Sequence, residues 1–150
     1  MNSKLSKFVM FVVFASLLVV TIMSAGLFKK HDRYVIFFLN SRTKQEVSEP
    51  RYVLRQYIRA PEVHFVEELM LGPMNHDYYD YVKKTTKYNS CFVRGETLYI
   101  DLPKKVFTEV EENMSFRLFY DMFIKNIYTN CKKIKSVQMF LDGEPVYEKF

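Results

Sequence analysis

The chain has 150 residues, room for one folded domain and little more, and its 49% hydrophobic and 17% aromatic content, with 11 Tyr, 14 Phe and no Trp, excludes a disordered polypeptide. The net charge is +5, but residues 1–33 carry +4 of it, leaving +1 for residues 34–150 with their 17 basic and 16 acidic side chains. The basic excess flanks an apolar segment, so the remainder lacks the clustered positive charge that counterion release demands, and no nucleic-acid partner is expected.

After a short basic N-terminus (residues 1–7), residues 8–28 read FVMFVVFASLLVVTIMSAGLF, with no charge and only Ser16, Thr21 and Ser24 as polar side chains. At 1.5 Å per residue this run spans roughly 31 Å, the thickness of a bilayer's hydrocarbon core. A single-pass transmembrane anchor is the preferred reading. A cleaved signal peptide competes with it, since small residues Ser24, Ala25 and Gly26 follow the run, but signal h-regions are about 7–15 residues long. Lys4, Lys7 and the amino terminus face Lys29, Lys30 and Arg33 across the segment, so charge does not set its orientation. The short N-terminus with a whole domain behind the anchor favours a C-terminal domain outside the cytoplasmic (inner) membrane. No Cys follows the apolar run within a dozen residues, which argues against a lipid-modified N-terminus.

Residues 29–33 form a juxtamembrane linker, and a domain is expected over 34–150. Arg33 to Leu39 is a β-branched and aromatic run that predicts a buried strand ending in a polar turn. After Pro50, RYVLRQYIR predicts a half-buried strand with Tyr52, Leu54 and Ile58 on one side and Arg51, Arg55 and Arg59 mainly elsewhere. Pro61 opens a helix with Glu62 in its first turn and an apolar stripe of Val63, Val66, Leu69 and Met70; Gly72 closes it and Pro73 forbids its continuation. Residues 74–84 have no clean period and read as a loop or a short helical turn. KYNSCFV, the turn RGE and TLYIDL predict a β-hairpin around Gly95. Residues 115–130 predict a second helix through Phe116, Phe119, Tyr120, Phe123 and Ile127, with Glu109, Glu111 and Glu112 complementing its N-terminus and Lys132, Lys133 and Lys135 its C-terminus. SVQMFL is a final strand, and Asp142-Gly143 turns the chain into its tail. The order β-β-α-β-β-α-β predicts an α+β fold, a mixed β-sheet with two helices packed on one face, preceded by one N-terminal transmembrane helix.

Little in this pattern carries chemistry. Gly72, Gly95 and Gly143 each fall at a turn, so no glycine-rich phosphate loop remains to be built, and no cofactor is expected. His64 reads as a surface or boundary residue. His76 with Asp77 and Asp80 is the nearest approach to a metal set, but adjacent side chains do not converge, so no metal is expected. Ser90 and Ser115 lack a nucleophile elbow, and no catalytic residue is expected. Cys91 and Cys131 could pair in an oxidising compartment or remain separate buried thiols. The surplus is aromatic: His76, Asp77, Tyr78, Tyr79, Asp80 and Tyr81 form the candidate ligand or partner surface, with core packing under the loop as the competing reading.

EELMLGP at the end of the first helix, GETLYIDL as the second hairpin strand and KIKSVQMFLDGEPV near the C-terminus together resemble the GerMN domain of sporulation and spore-germination proteins, over roughly residues 34–147. The chain departs from the family pattern at HDYYDYVKK, where a Pro-Gly-type turn is usual, and at Pro103, where Ser is usual. The resemblance implies an exported, membrane-tethered module similar to the ring-building domains of trans-envelope assemblies, with no established catalytic residues. The function expected is therefore a non-catalytic interaction or assembly module of the bacterial cell envelope, acting on an envelope protein partner or as a homo-oligomer. A small-ligand or cell-wall binder using loop 74–88 is the alternative.

Overall fold

The computed structural model describes residues 3–26, 31–83, 86–106 and 115–146, and the chain divides into two compact units, residues 1–31 and 32–150. In the first unit, helix α1 (Ser3–Gly26) contains an 18-residue window, Ser6–Met23, of mean hydropathy 2.3 and no burial, long and apolar enough to cross a membrane. The hydroxyls of Ser16 and Thr21 donate to the carbonyls of Val13 and Leu17, so neither needs water.

The second unit runs β1 (His31–Leu39), β2 (Glu46–Leu54), α2 (Pro61–Met70), β3 (Ser90–Arg94), β4 (Thr97–Leu102), α3 (Phe116–Asn130), β5 (Ser136–Leu141) and β6 (Glu144–Pro145). Strands β3-β4-β5-β6 form a mixed sheet in which only β4 and β5 are parallel, the crossover between them carrying α3. Leu98, Ile100 and Leu102 of β4 and Met139 and Leu141 of β5 face one way, by the period-two alternation of a strand. They share a single core with Phe65, Val66 and Leu69 of α2 and Phe119, Phe123 and Ile127 of α3. Both helices thus cover one face of a mixed sheet, the α+β arrangement expected from the sequence.

Strands β1 and β2 form a separate two-stranded ribbon, and its outer edge explains why. Asn126 and Asn130, one turn apart on α3, lie against the edge of β1. The Asn130 amide accepts from the Val35 N–H and donates to the Val35 carbonyl, both at 2.8 Å. Asn126 repeats the pattern on Phe37 at 2.8 and 3.1 Å. Further along the same edge, the Tyr79 N–H donates to the Leu39 carbonyl at 2.8 Å. Two side-chain amides and a loop therefore occupy the backbone groups that another strand would pair with, which covers a potentially sticky edge.

Strand β2 begins five residues earlier than the sequence pattern indicates. The Asn40 side chain accepts from the N–H groups of Arg42 and Thr43 at 3.0 Å each, and Lys44 takes a left-handed φ of 57°. This tight turn starts the return strand at Glu46. Pro50 then falls inside β2, where an edge strand tolerates its missing N–H. The burial of β2 is also opposite to expectation: Arg51 is buried at 6% exposure, while Tyr52, Leu54 and Ile58 are exposed.

Candidate functional site

The tyrosine-rich segment serves the scaffold more than the surface. Tyr79 and Tyr81 are buried in the core, and Tyr78 is half-buried with its ring stacked 6.4 Å from Phe38. The Tyr81 hydroxyl donates to the Phe37 carbonyl and accepts from Asn126 Nδ2 at 2.9 Å, and burial raises its ionisation well above the usual phenol range. The Tyr79 hydroxyl meets the Lys44 ammonium and the Ser41 carbonyl. Of the polar members, His76 is exposed, and Asp77 is exposed in a 3.5 Å ion pair with Arg42. Asp80 is half-buried with one carboxylate oxygen shielded and unbonded. The segment therefore divides between core and solvent, and its six residues do not present one surface. Among the described residues no group of three or more His, Cys, Asp or Glu side chains could hold a metal ion.

The end of α2 is a more elaborate arrangement than a helix stop. Gly72 has the left-handed φ of 78° that the turn needs, and its N–H donates to the Leu69 carbonyl at 3.2 Å. The Arg51 guanidinium reaches over from β2 and donates to the carbonyls of Glu68 and Gly72, both at 2.8 Å, and to the Glu49 carboxylate at 2.7 Å. The second Glu49 oxygen accepts from the Met74 N–H at 3.0 Å. An arginine fork thus satisfies orphan carbonyls at a helix C-terminus while neutralising a nearly buried carboxylate. One turn earlier, Glu67 gathers the Arg59 guanidinium, the Tyr88 hydroxyl at 2.8 Å and, at 3.6 Å, His64 Nδ1. Burial and that carboxylate push the Tyr88 phenol up to about 12. His64, expected near the surface, is buried because this turn of α2 is enclosed on most sides, the four successive residues Val63, His64, Phe65 and Val66 all being buried. Residues Glu109, Glu111 and Glu112 lie outside the described residues; the N-cap of α3 is Ser115, whose hydroxyl accepts from the Leu118 N–H at 3.2 Å. At the other end, the Lys132 ammonium donates to the Tyr128 carbonyl at 3.4 Å.

Cys91 and Cys131 are both free thiols, and burial pushes each from an ordinary value of 9.0 up to about 12. They are packing residues held as neutral thiols at physiological pH.

The outer face of the mixed sheet has a different character. Phe92 of β3 is directly opposite Tyr99 of β4, and their rings stack at 5.0 Å with planes 8° apart. Phe140 of β5 shares this face by alternation. None of the three belongs to the core, and Phe92 is 49% exposed. The hairpin pattern placed Phe92 and Tyr99 in strands, but which strand face is uncovered depends on where the helices pack, which no local signal gives.

A family model for Germane, sporulation and spore germination, matches residues 35–147. An uncharacterized lipoprotein of Treponema pallidum (strain Nichols) is 36% identical over 83 residues, 55% of this chain and 62% of that protein, so the chain spans less than two thirds of that relative's length. Among solved structures, the tandem GerMN domains of the sporulation protein GerM from Bacillus subtilis superimpose with a TM-score of 0.56 at 14% identity, covering 77% of this chain and 40% of theirs. The first GerMN domain of the same protein gives a TM-score of 0.55 at 11% identity, covering 77% of this chain and 86% of that one. At such identities the likeness is one of fold. With its strand and helix order, its core and the family match all falling on the same residues, the chain belongs to the Germane family.

Proposed function

We propose that this protein is a membrane-anchored, extracytoplasmic, non-catalytic assembly module that binds another envelope protein, or a second copy of itself, through the outer face of its mixed sheet. The observation that carries the reading is the Phe92–Tyr99 stack, an exposed ring on a half-buried one, on the sheet face outside the core. Aromatic side chains supply large contact area with little entropy to lose, and they concentrate at the centres of protein interfaces. In support of a non-catalytic role, several reactive groups are engaged in structure: Glu67 with Arg59 and Tyr88, Glu49 with Arg51, and both thiols held neutral.

The anchor is α1. The Treponema relative carries the name lipoprotein, whereas the first cysteine here is Cys91, far from the N-terminus. On this reading an apolar helix holds the domain at the membrane where the relative would use a lipid, leaving the same fold facing the envelope. The experiment is a paired comparison of the full chain with a Phe92→Ala/Tyr99→Ala variant in membranes. The double variant is expected to lose its crosslinked higher-mass species while keeping its thermal midpoint within a few degrees, since neither ring is in the core. Unchanged crosslinking in a folded double variant would remove the proposed surface.

A further inference from the structure

Beside the start of β1 lies an open cleft of about 620 Å³, within the size range of small-ligand sites, and the aromatic sheet face contributes nothing to it. Its walls come from β1, the segment after β2, the start of α2 and the end of α3. Five cations line it, Arg33, Arg55, Arg59, Lys132 and Lys133, against the carboxylates of Asp32 and Glu62. Arg55 is held by Asp32, with Nε at 2.9 and 3.1 Å from the two oxygens, and Arg59 by Glu67. The Arg55 guanidinium keeps the Asp32 carboxyl below its usual value, so that pair stays charged and closed. Arg33, Lys132 and Lys133 have no carboxylate partner among the described residues.

A second observation concerns a residue of the same cleft wall. Tyr34 lines it, is 7% exposed, and its hydroxyl is buried with no hydrogen-bond partner. Buried hydroxyls are almost always bonded, so this one, on a residue of the cleft wall, is a donor left over for an acceptor from outside the chain. Burial pushes this phenol up to about 12, which leaves it a donor throughout the physiological range. Two apolar side chains stand out into solvent beside it: Tyr57, also in the lining, is 78% exposed, and Ile58, next in the chain, is 98% exposed. Finally, Arg33 follows the apolar window ending at Met23 by ten residues, a covalent tether of at most about 35 Å.

We infer that this cleft binds a phosphate-bearing anion, and that the source is the headgroup of an anionic phospholipid in the membrane that holds α1. Arg33, Lys132 and Lys133 supply unneutralised charge for the phosphate, the Tyr34 hydroxyl supplies an unused donor beside them, and Tyr57 and Ile58 suit the interfacial layer. The result is a second, reversible point of attachment that sets how the domain stands on the bilayer.

The full chain in phosphatidylcholine nanodiscs, with and without phosphatidylglycerol, tests this through hydrogen exchange at residues 55–59 and 130–134, alongside titration of the neutral discs with glycerol phosphate and inorganic phosphate. Slower exchange at both segments with phosphatidylglycerol is expected. Arg33→Ala, Lys132→Ala and Lys133→Ala should each weaken glycerol phosphate binding about five-fold, the worth of one charge at an anionic headgroup. Tyr34→Phe should weaken it by a similar factor with an unchanged or raised thermal midpoint, a readout that a packing role alone would not produce. Protection by the soluble phosphates without protection by the lipid keeps the anion site and overturns the lipid source. Protection by neither, or protection that persists with all three cations removed, overturns the inference.

Discussion

Replacing Asn126 with alanine would leave the Phe37 N–H without its acceptor and take one donor each from the Phe37 carbonyl and the Tyr81 hydroxyl, which keep only their bond to each other. Each orphaned buried group costs about 1–3 kcal/mol, so Asn126→Ala is expected to lower stability by about 2–4 kcal/mol in urea denaturation. Asn130→Ala, at a half-buried position where water can substitute, should cost about 1 kcal/mol. Equal losses from the two would contradict the edge-capping account. Two polar residues one turn apart on the face of an otherwise aromatic helix are visible in the sequence, and they were the available clue to this arrangement. What the sequence could not supply was their partner, an edge of β1 more than 85 positions earlier in the chain. Arg51 illustrates the reverse problem. A charged residue in an alternating strand reads as solvent-facing, and only the tertiary position of the α2 C-terminus makes burial of its guanidinium favourable.

At the scale of elements, the stretches governed by short-range rules were legible. Helix α2 begins at Pro61 and ends before Gly72, the β3–β4 hairpin turns at Gly95, and β5 covers SVQMFL, each as local backbone preferences dictate. Strand β2 was displaced because its start depends on the Asn40 turn, whose side-chain bonds carry no hydrophobic period. The tyrosine segment was ambiguous for a related reason: its phenols are positioned by the β1 edge and α3, so sequence alone shows aromatic surplus without its direction. The hairpin and the C-cap of α3 also hold the two thiols, which gives an element-level test. In the native full chain Cys91 and Cys131 should resist a thiol reagent at neutral pH, and in denaturant without reductant both should titrate. Finding no titratable thiol in denaturant would show that they pair.

For the whole molecule, the buried thiols and phenols set a direction for alkaline stability. Cys91, Cys131, Tyr34 and Tyr88 are all raised in the folded state to about 12, from 9.0 for the thiols and 10.0 for the phenols. Below pH 9.0 both folded and unfolded chains keep these protons, and the stabilisation is fully present. Above it the unfolded chain releases them first, so stability falls as pH rises toward about 12. Denaturation midpoints should therefore be flat across neutral pH and decline on the alkaline side. At the acid end, Asp32 and Asp142 are lowered by the Arg55 guanidinium and the Lys104 N–H respectively, so their contribution is present above 3.8 and is lost as pH falls through their lower folded values. A midpoint that rises between pH 9 and 12 would contradict the burial of these groups.

The central claim is that the uncovered aromatic face of the mixed sheet joins this anchored domain to another protein. A photoreactive amino acid placed at position 92 of the full chain in native membranes tests it most directly, with the exposed position 71 at the end of α2 as the comparison. The account predicts a discrete higher-mass adduct from position 92, either a dimer of this chain or a complex with one envelope protein, and none from position 71. Equal, diffuse labelling from both positions, or no protein adduct from position 92, would contradict it.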